Sequence, residues 1–465
     1  MMIKFTEKNK TVAILALTLL AIGLGCVSQT NLTPTKSTTF PTKTNIPKTI
    51  KEPGGAGTPI AADMAVSNKS RQTSPQAPDA DLKILAGDNN AFALDLYHAF
   101  SGKTPQNLVF SPYSISQALA MTYAGANGKT ASQMAQVLHF TLPSQRLHPA
   151  FNALDLSLQN LSTAANPDQF QLKIANSLWG QTGYPYLSPF LDLLAENYGT
   201  GMYLTDYSKA SESSRQTINQ WVSQQTENKI NDLLAQGVIT PNTRLTLVNA
   251  IYFYAHWDTL FNPNYTHQDY FTRLDGSKTS ASFMSLGKAL TMPYIHGADY
   301  QAVELPYKGD QVVMTLIVPD SGHFSNVQKS ISVLWLNDCW AQMQDKKVDV
   351  VLPKFKFETS LGLNEVLAGM GMSDAINNAA ADFSGMDGNR DLYIGAVVHK
   401  ALIAVDEDGT QAAAASAPEM QGTTAVDPSI KTDDINLIID RPFFFVIHDT
   451  QNHSILFMGQ GVDPH

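Results

Sequence analysis

Glu407-Asp408-Gly409-Thr410-Gln411-Ala412-Ala413-Ala414-Ala415-Ser416-Ala417 is the stretch on which the reading turns. Two acidic residues give way to a glycine and a run of the smallest side chains. The run is too short, and too near a strand, to stand as an isolated helix, because helix nucleation costs more than so few residues return. Pro418–Asp434 follows and is polar and irregular; Arg441-Pro442-Phe443-Phe444-Phe445 then opens an apolar segment. By composition alone the tiny-residue run reads as a flexible, low-complexity loop.

The residues around it read as the strand-rich half of an α+β domain. Phe443–His448 and Ile455–Gly459 are short strands joined by the turn cluster Asp449-Thr450-Gln451-Asn452. Val348–Phe357 alternates as a strand, and Arg244–Tyr254 and Gln311–Val318 are apolar strand candidates. Helical spacing dominates earlier: Phe92, Leu96 and Ala99 share a face, and Ser114–Ala124 is rich in Ala, Leu and Met. Helices first and strands later favour α+β over an alternating α/β order. No internal repeat is present.

The chain has 465 residues, 43% hydrophobic and 15% charged, enough apolar mass for a large core. Its N-terminus reads as an export signal over residues 1–25. Lys4, Lys8 and Lys10 precede the apolar run Val12–Leu24, and Gly25-Cys26 closes it. A small residue before a cysteine there resembles a lipoprotein signal, with Cys26 as the lipid-attachment residue, although Gly23 stands where such signals usually carry Leu. Val27–Ala80 holds 10 Thr, 7 Pro and 5 Ser with one aromatic, Phe40. Residues 26–80 are therefore expected to form a disordered tether, since they have too little apolar surface to offset the chain entropy of folding. The domain proper is expected over 81–465. Of the net charge of −10, residues 1–80 carry +5, so the body carries −15. An acidic body argues against polyanionic partners such as nucleic acid. Two cysteines exclude a disulfide scaffold, and Cys339 is expected to be a small buried apolar residue.

Enzyme motifs are absent or fail in context. Gly125-Ala126-Asn127-Gly128-Lys129-Thr130 ends like a phosphate-binding loop, but Tyr123 stands where the first glycine is required and the preceding segment is helical. It reads as a turn between two helices. No His pair has metal-ligand spacing on a helix. His448 and His453 are expected to be a solvated pair flanking a turn, and Asp382–Asn389 a surface loop carrying Asp382 and Asp387. No catalytic residue, cofactor or metal is assigned.

The opening stretch resembles the reactive-centre loop of the serpins, the serine protease inhibitor family, whose hinge runs acidic-x-Gly-Thr-x-Ala-Ala-Ala. The likeness continues elsewhere in the expected order. It includes Asn107-Leu108-Val109-Phe110-Ser111-Pro112-Tyr113-Ser114 through Thr130, Val248-Asn249 to Trp257, Val398-His399-Lys400-Ala401, and Arg441-Pro442-Phe443 with Phe457-Met458-Gly459. It covers about 81–465. The resemblance implies the serpin fold: three β-sheets, about eight or nine helices and an exposed reactive-centre loop, here about 407–434.

It also implies function. An inhibitory serpin offers its loop as bait and supplies no catalytic group. The protease forms an acyl-enzyme through its own serine. The cleaved loop then enters the main sheet before water releases the enzyme. The implied hinge is Glu407, Gly409, Thr410, Ala412, Ala413 and Ala414. Counting by twos from Thr410, the inward set is Thr410, Ala412, Ala414, Ser416, Pro418 and Met420. None is charged, so insertion buries no unpaired charge. Pro418 lacks an N–H and deletes one ladder bond. The implied shutter is Ser111, Ser114, Asn249 and His399; the implied breach is Trp257, Lys354 and Glu407.

The family spacing from Gly409 puts the reactive bond at Thr423-Thr424, although the long stretch to Pro442 leaves Met420 as an alternative. Thr423 suits an elastase-like or subtilisin-like serine protease, Met420 a chymotrypsin-like one. Lys431 suits trypsin but lies too far along. The expected molecule is a monomeric inhibitor, secreted or anchored to the outer face of the cell membrane. The alternative is a non-inhibitory serpin acting as a binding, carrier or chaperone-like module.

Overall fold

The computed structural model describes residues 62–101, 105–164, 169–410 and 434–465. The first half runs β1 (Asp63–Ala65), α1 (Asp79–Ser101), β2 (Leu108–Phe110), α2 (Pro112–Tyr123), α3 (Gly128–Val137), α4 (Ser144–Ala164), β3 (Phe170–Gln181), α5 (Ser188–Tyr198), β4 (Met202–Thr205) and α6 (Tyr207–Gln225). A strand-rich stretch follows: β5 (Leu245–His256), β6 (His267–Thr272), β7 (Lys278–Ser285), β8 (Leu290–His296), β9 (Tyr300–Pro306) and β10 (Val312–Pro319). The remainder is α7 (Phe324–Ser330), α8 (Val333–Gln342), β11 (Gln344–Pro353), β12 (Phe355–Gly362), α9 (Asn364–Met370), α10 (Ser373–Ile376), α11 (Ser384–Asp387), β13 (Ile394–Val405), β14 (Gly409–Thr410), β15 (Ile435–Ile438), β16 (Phe443–Asp449) and β17 (Ile455–Gly461). The helices outnumber the eight or nine implied above because Asn364–Asp387 breaks into three short ones.

One sheet orders its strands β1-β4-β3-β5-β14-β13-β12, and β5 also pairs directly with β13. The other strands form a second network, β2-β17-β16-β10-β9-β8-β11-β7-β6, with β15 on β11. Two of the three implied sheets join here through β11, which pairs with β8 over Gln344–Val348 and with β7 over Val351–Pro353. The main core lies between the two networks. Every residue of β16 and β17 is buried, which accounts for the run of three phenylalanines. Phe443 and Phe445 meet Phe355 of β12 at ring separations of 5.5 and 6.0 Å. Helix α2 is buried all round, as its Ala, Leu and Met content anticipates. Helix α6 packs on the opposite face of the first sheet, where Trp221 meets Trp179 and Tyr203.

Several expectations change. Val348–Phe357 is two strands in two sheets, divided at Lys354. Pro353 ends the first, and Lys354 turns towards Glu407. Ala99 is exposed, and the buried face of α1 runs through Leu85, Phe92 and Leu96. Asp382 and Asp387 are buried, not on a surface loop. The chain there packs so closely on Gly125 that a Cβ at 125 would sit 2.2 Å from the Met386 side chain. His448 is buried rather than solvated, 3.3 Å from Glu304 and 3.0 Å from Thr315.

The body also begins before Asp81. β1 pairs antiparallel with β4 at the sheet edge, satisfying backbone groups that an edge strand leaves open. Gly201 permits this approach, since a Cβ there would lie 2.5 Å from the Ala65 carbonyl. Beyond β1, Arg71 donates to Asn152 at 2.8 Å and to Asp155 at 2.5 Å on α4, and Gln72 N–H reaches the Glu196 carbonyl of α5 at 2.9 Å. Within 26–80, residues 62–80 are thus attached to the body rather than free; Cys26 and the rest lie outside the described residues.

Candidate functional site

The site is the seam between β5 and β13. These strands run parallel, with Leu245 opposite Ile394 at the foot and Tyr252 opposite Leu402 near the head. Above Tyr252 they part, and β14 occupies the gap. Thr410 pairs with Ala255 on one side and Val405 on the other, and Gly409 pairs with His256. Only glycine fits at 409, because a Cβ would lie 2.0 Å from the Ala255 carbonyl oxygen. Thr410 is fully buried, and its hydroxyl bonds Tyr307 OH at 2.6 Å.

Glu407 and its neighbours hold the head of the seam. The Lys354 ammonium donates to Glu407 Oε2 at 2.7 Å, and Thr266 donates to Oε1 at 2.7 Å. Burial alone would raise the Glu407 carboxyl, but these two bonds, with a backbone hydrogen bond and the Lys354 charge, outweigh it and hold it below its ordinary value. Trp257 lies beneath, stacked on Tyr307 at 4.6 Å. Its indole N–H donates to the Asp406 carbonyl at 3.0 Å, and its backbone N–H donates to that of Asp408 at 3.0 Å. Glu407 and Lys354 therefore pair directly, and Trp257 holds the backbone on either side of Glu407; Tyr307 and Thr266, which sequence reasoning did not single out, complete the group.

A second group lies midway down the seam. Asn249 of β5 and His399 of β13 are register partners, and both are fully buried. Ser111 caps α2 by accepting from Ser114 N–H at 3.2 Å. The Ser111 N–H donates to His399 Nε2 at 3.2 Å, so the ring proton is on Nδ1, which donates to Asn249 Oδ1. Burial drives the imidazole down to about 3, so it is neutral. The Asn249 amide donates to Ser114 Oγ at 2.5 Å and to Asn176 Oδ1. Asn176 in turn donates to Gln117 Oε1 at 2.8 Å and to the Ser114 carbonyl at 3.1 Å. Ser111, Ser114, Asn249 and His399 thus share one network, with Asn176 and Gln117 added. A strand entering the seam must part His399 from Asn249.

Ala412, Ala413, Ala414, Met420, Thr423, Thr424 and Lys431 lie outside the described residues. Cys339 is buried at 1% exposure, and burial pushes its thiol up to about 11. Among the described residues no group of three or more His, Cys, Asp or Glu is placed to hold a metal, and no helix is long and apolar enough to cross a membrane.

The family model described as Serpin (serine protease inhibitor) matches residues 87–464. The human leukocyte elastase inhibitor is 36% identical over 392 residues, covering 82% of this chain and all of that protein. The structure of uncleaved ovalbumin superposes with a TM-score of 0.73 at 25% identity, over 82% of this chain and all of ovalbumin. Human thyroxine-binding globulin in complex with its thyroxine ligand gives 0.72 at 28% identity, over 83% of this chain and 99% of the globulin. The β14 wedge, the seam it heads and these matches agree: the chain belongs to the serpin family.

Proposed function

We propose that this serpin is a suicide-type inhibitor of serine proteases that traps the acyl-enzyme by drawing its cleaved loop into the β5–β13 seam. The observation that carries the reading is the seam itself. Its head already holds Gly409 and Thr410 between β5 and β13, while its lower part is closed by strands that pair directly. The next inward residues, Ala412, Ala414 and Ser416, are small and uncharged, so continued insertion adds ladder bonds and buries no charge. The likeness to an elastase inhibitor supports a serine protease target, and Thr423 as bait suits a small primary pocket. The reading includes export, lipidation at Cys26 and anchorage outside the cell.

The test is incubation with elastase, subtilisin, chymotrypsin and trypsin in turn, followed by denaturing gels. A denaturant-resistant band at the summed mass is expected with elastase or subtilisin. Mass spectrometry of the released C-terminal fragment is expected to begin at Thr424. Cleavage by every protease without such a band refutes trapping.

The likeness to thyroxine-binding globulin and the proline at 418 favour a second reading, a non-inhibitory binding, carrier or chaperone-like serpin. Heat separates the two: an inserting loop raises the melting temperature of the cleaved form, whereas a loop that stays out leaves it unchanged.

A further inference from the structure

The turn between β9 and β10 is zipped onto the end of β5. The Asp258 N–H donates to the Pro306 carbonyl at 2.9 Å, Trp257 forms a bridge with Tyr307, and the Lys308 N–H donates to the His256 carbonyl at 2.8 Å. Across the turn, the Tyr307 N–H donates to the Val312 carbonyl at 3.0 Å. The Tyr307 ring is stacked on Trp257 and meets Phe253 edge-on at 5.2 Å. Backbone and ring together fix where its hydroxyl sits. The residue is fully buried, and burial pushes the phenol up, so the hydroxyl keeps its proton.

That hydroxyl has one hydrogen-bond partner among the described residues, Thr410 Oγ1 at 2.6 Å. Thr410 is itself fully buried. Lys354, Thr266 and Trp257 hold the hinge only as far as Asp408. Beyond Asp408, among the described residues, the bond to Tyr307 is the one side-chain hydrogen bond between the hinge and the body.

We infer that Tyr307 is a positioning residue for loop entry: its hydroxyl keeps Thr410 docked in the head of the seam before any bait bond is cut. The inference rests on the trapping reading above and adds what holds the hinge in place. β14 is two residues long, against roughly five or six for an ordinary strand, so its ladder bonds are few. Drawing Thr410 out leaves the Tyr307 hydroxyl buried without a partner, which costs the full desolvation of that group. Valine matches threonine in shape, so the backbone pairing of β14 does not require a hydroxyl at 410; the bond to Tyr307 does. With Thr410 docked, loop entry starts from a pair already made, and the entropy of ordering the first residues is already lost.

The test uses the full chain and four variants. Tyr307→Phe keeps the ring and its stacking but loses the hydroxyl. Thr410→Val keeps the shape, Thr410→Ser keeps the hydroxyl, and the fourth variant combines Tyr307→Phe with Thr410→Val. Amide hydrogen exchange at Gly409 and Thr410 is followed before any protease is added. Tyr307→Phe is expected to speed exchange about tenfold, the effect of one unmade buried hydrogen bond. Thr410→Val is expected to act in the same direction, and Thr410→Ser to leave exchange unchanged. The double variant is expected to be no faster than Tyr307→Phe alone, because valine has no hydroxyl to leave unpaired. With elastase, Tyr307→Phe is expected to consume more inhibitor molecules for each protease held. Unchanged exchange in Tyr307→Phe, or effects that multiply in the double variant, overturns the inference, since the ring then acts by packing alone. Faster exchange with unchanged consumption also overturns the positioning role. Absence of any covalent complex with the unaltered chain overturns the inhibitor reading and the role in loop entry with it; the exchange measurement, which needs no protease, still decides whether Tyr307 holds the hinge.

Discussion

β5 has two neighbours, and the two joints differ. With β3 it pairs antiparallel and without interruption from Phe170 opposite Ala255 to Gly180 opposite Leu245. With β13 it pairs parallel, carries a register shift between Ile394 and Ala396, and stops at Tyr252. Parallel pairing is slightly less stable per residue. Midway, Asn249 meets a polar partner on both sides, Asn176 across the first joint and His399 across the second; to either side of that row the first joint is backed by apolar side chains such as Leu172 and Leu178. Apolar packing has no second arrangement of equal worth once parted, but polar side chains can exchange partners. On the proposed mechanism the sheet therefore combines a joint that stays closed with one that opens, on opposite edges of one strand.

The comparison breaks most readily at the hinge. Thr410→Arg is expected to lower covalent complex yield tenfold or more and turn the chain into a substrate, because an unpaired guanidinium costs several kcal/mol to bury. An unchanged yield on a denaturing gel would remove the seam from the mechanism. At the first joint, Leu178→Ala is expected to cost about 2–5 kcal/mol through a core cavity. Calorimetry should show the native and loop-cleaved forms losing melting temperature together; a loss confined to one form would mean this joint also rearranges.

Acid sharpens the comparison. The His399 ring is depressed to about 3, and that of His148 on α4 to about 4, both by burial. Below the ordinary value of about 6.5 the unfolded chain binds protons that the native chain does not. The stability that depends on these two rings is therefore full above pH 6.5 and falls by about 1.4 kcal/mol per unit for each ring, down to about pH 3 for His399 and about pH 4 for His148. Urea unfolding of His399→Gln across pH 4–7 should show a shallower slope, and an unchanged slope would assign the effect elsewhere. The smallest effect is expected from Lys354→Ala. The lysine side chain is 33% exposed, so the loss should be about 0–1 kcal/mol. A larger loss in chemical denaturation would make the Lys354–Glu407 pair a principal fastener of the head.

Much of this was legible because the chemistry is local in sequence. The hinge shows its small residues in order, and the strands of the core show their apolar runs. What escaped depends on contacts distant in sequence. Asn176 is an asparagine in the inward row of β3 with Leu172, Ile174 and Leu178, and that break in an apolar row was a readable signal. Gln117 gave none, since a glutamine in a helix is ordinarily solvated. Residues 62–80 look like tether by composition because their attachment uses backbone pairing and ion pairs, which need no apolar side chains. His448 looked solvated beside a turn because its cover comes from Trp340 on α8, far away in sequence.

The neutral His399 also sets a clock. On the proposed mechanism, insertion races the hydrolysis of the acyl-enzyme. While the seam is closed the side chains that must part are neutral, because burial holds the His399 ring far below its ordinary value. Hydrolysis in the protease needs a neutral imidazole as base and slows as that base protonates. One competitor in the race thus starts from a site that acid has already charged, and the other from a seam that acid has left neutral. In mildly acidic surroundings the fold gains time, and fewer inhibitor molecules are spent for each protease held.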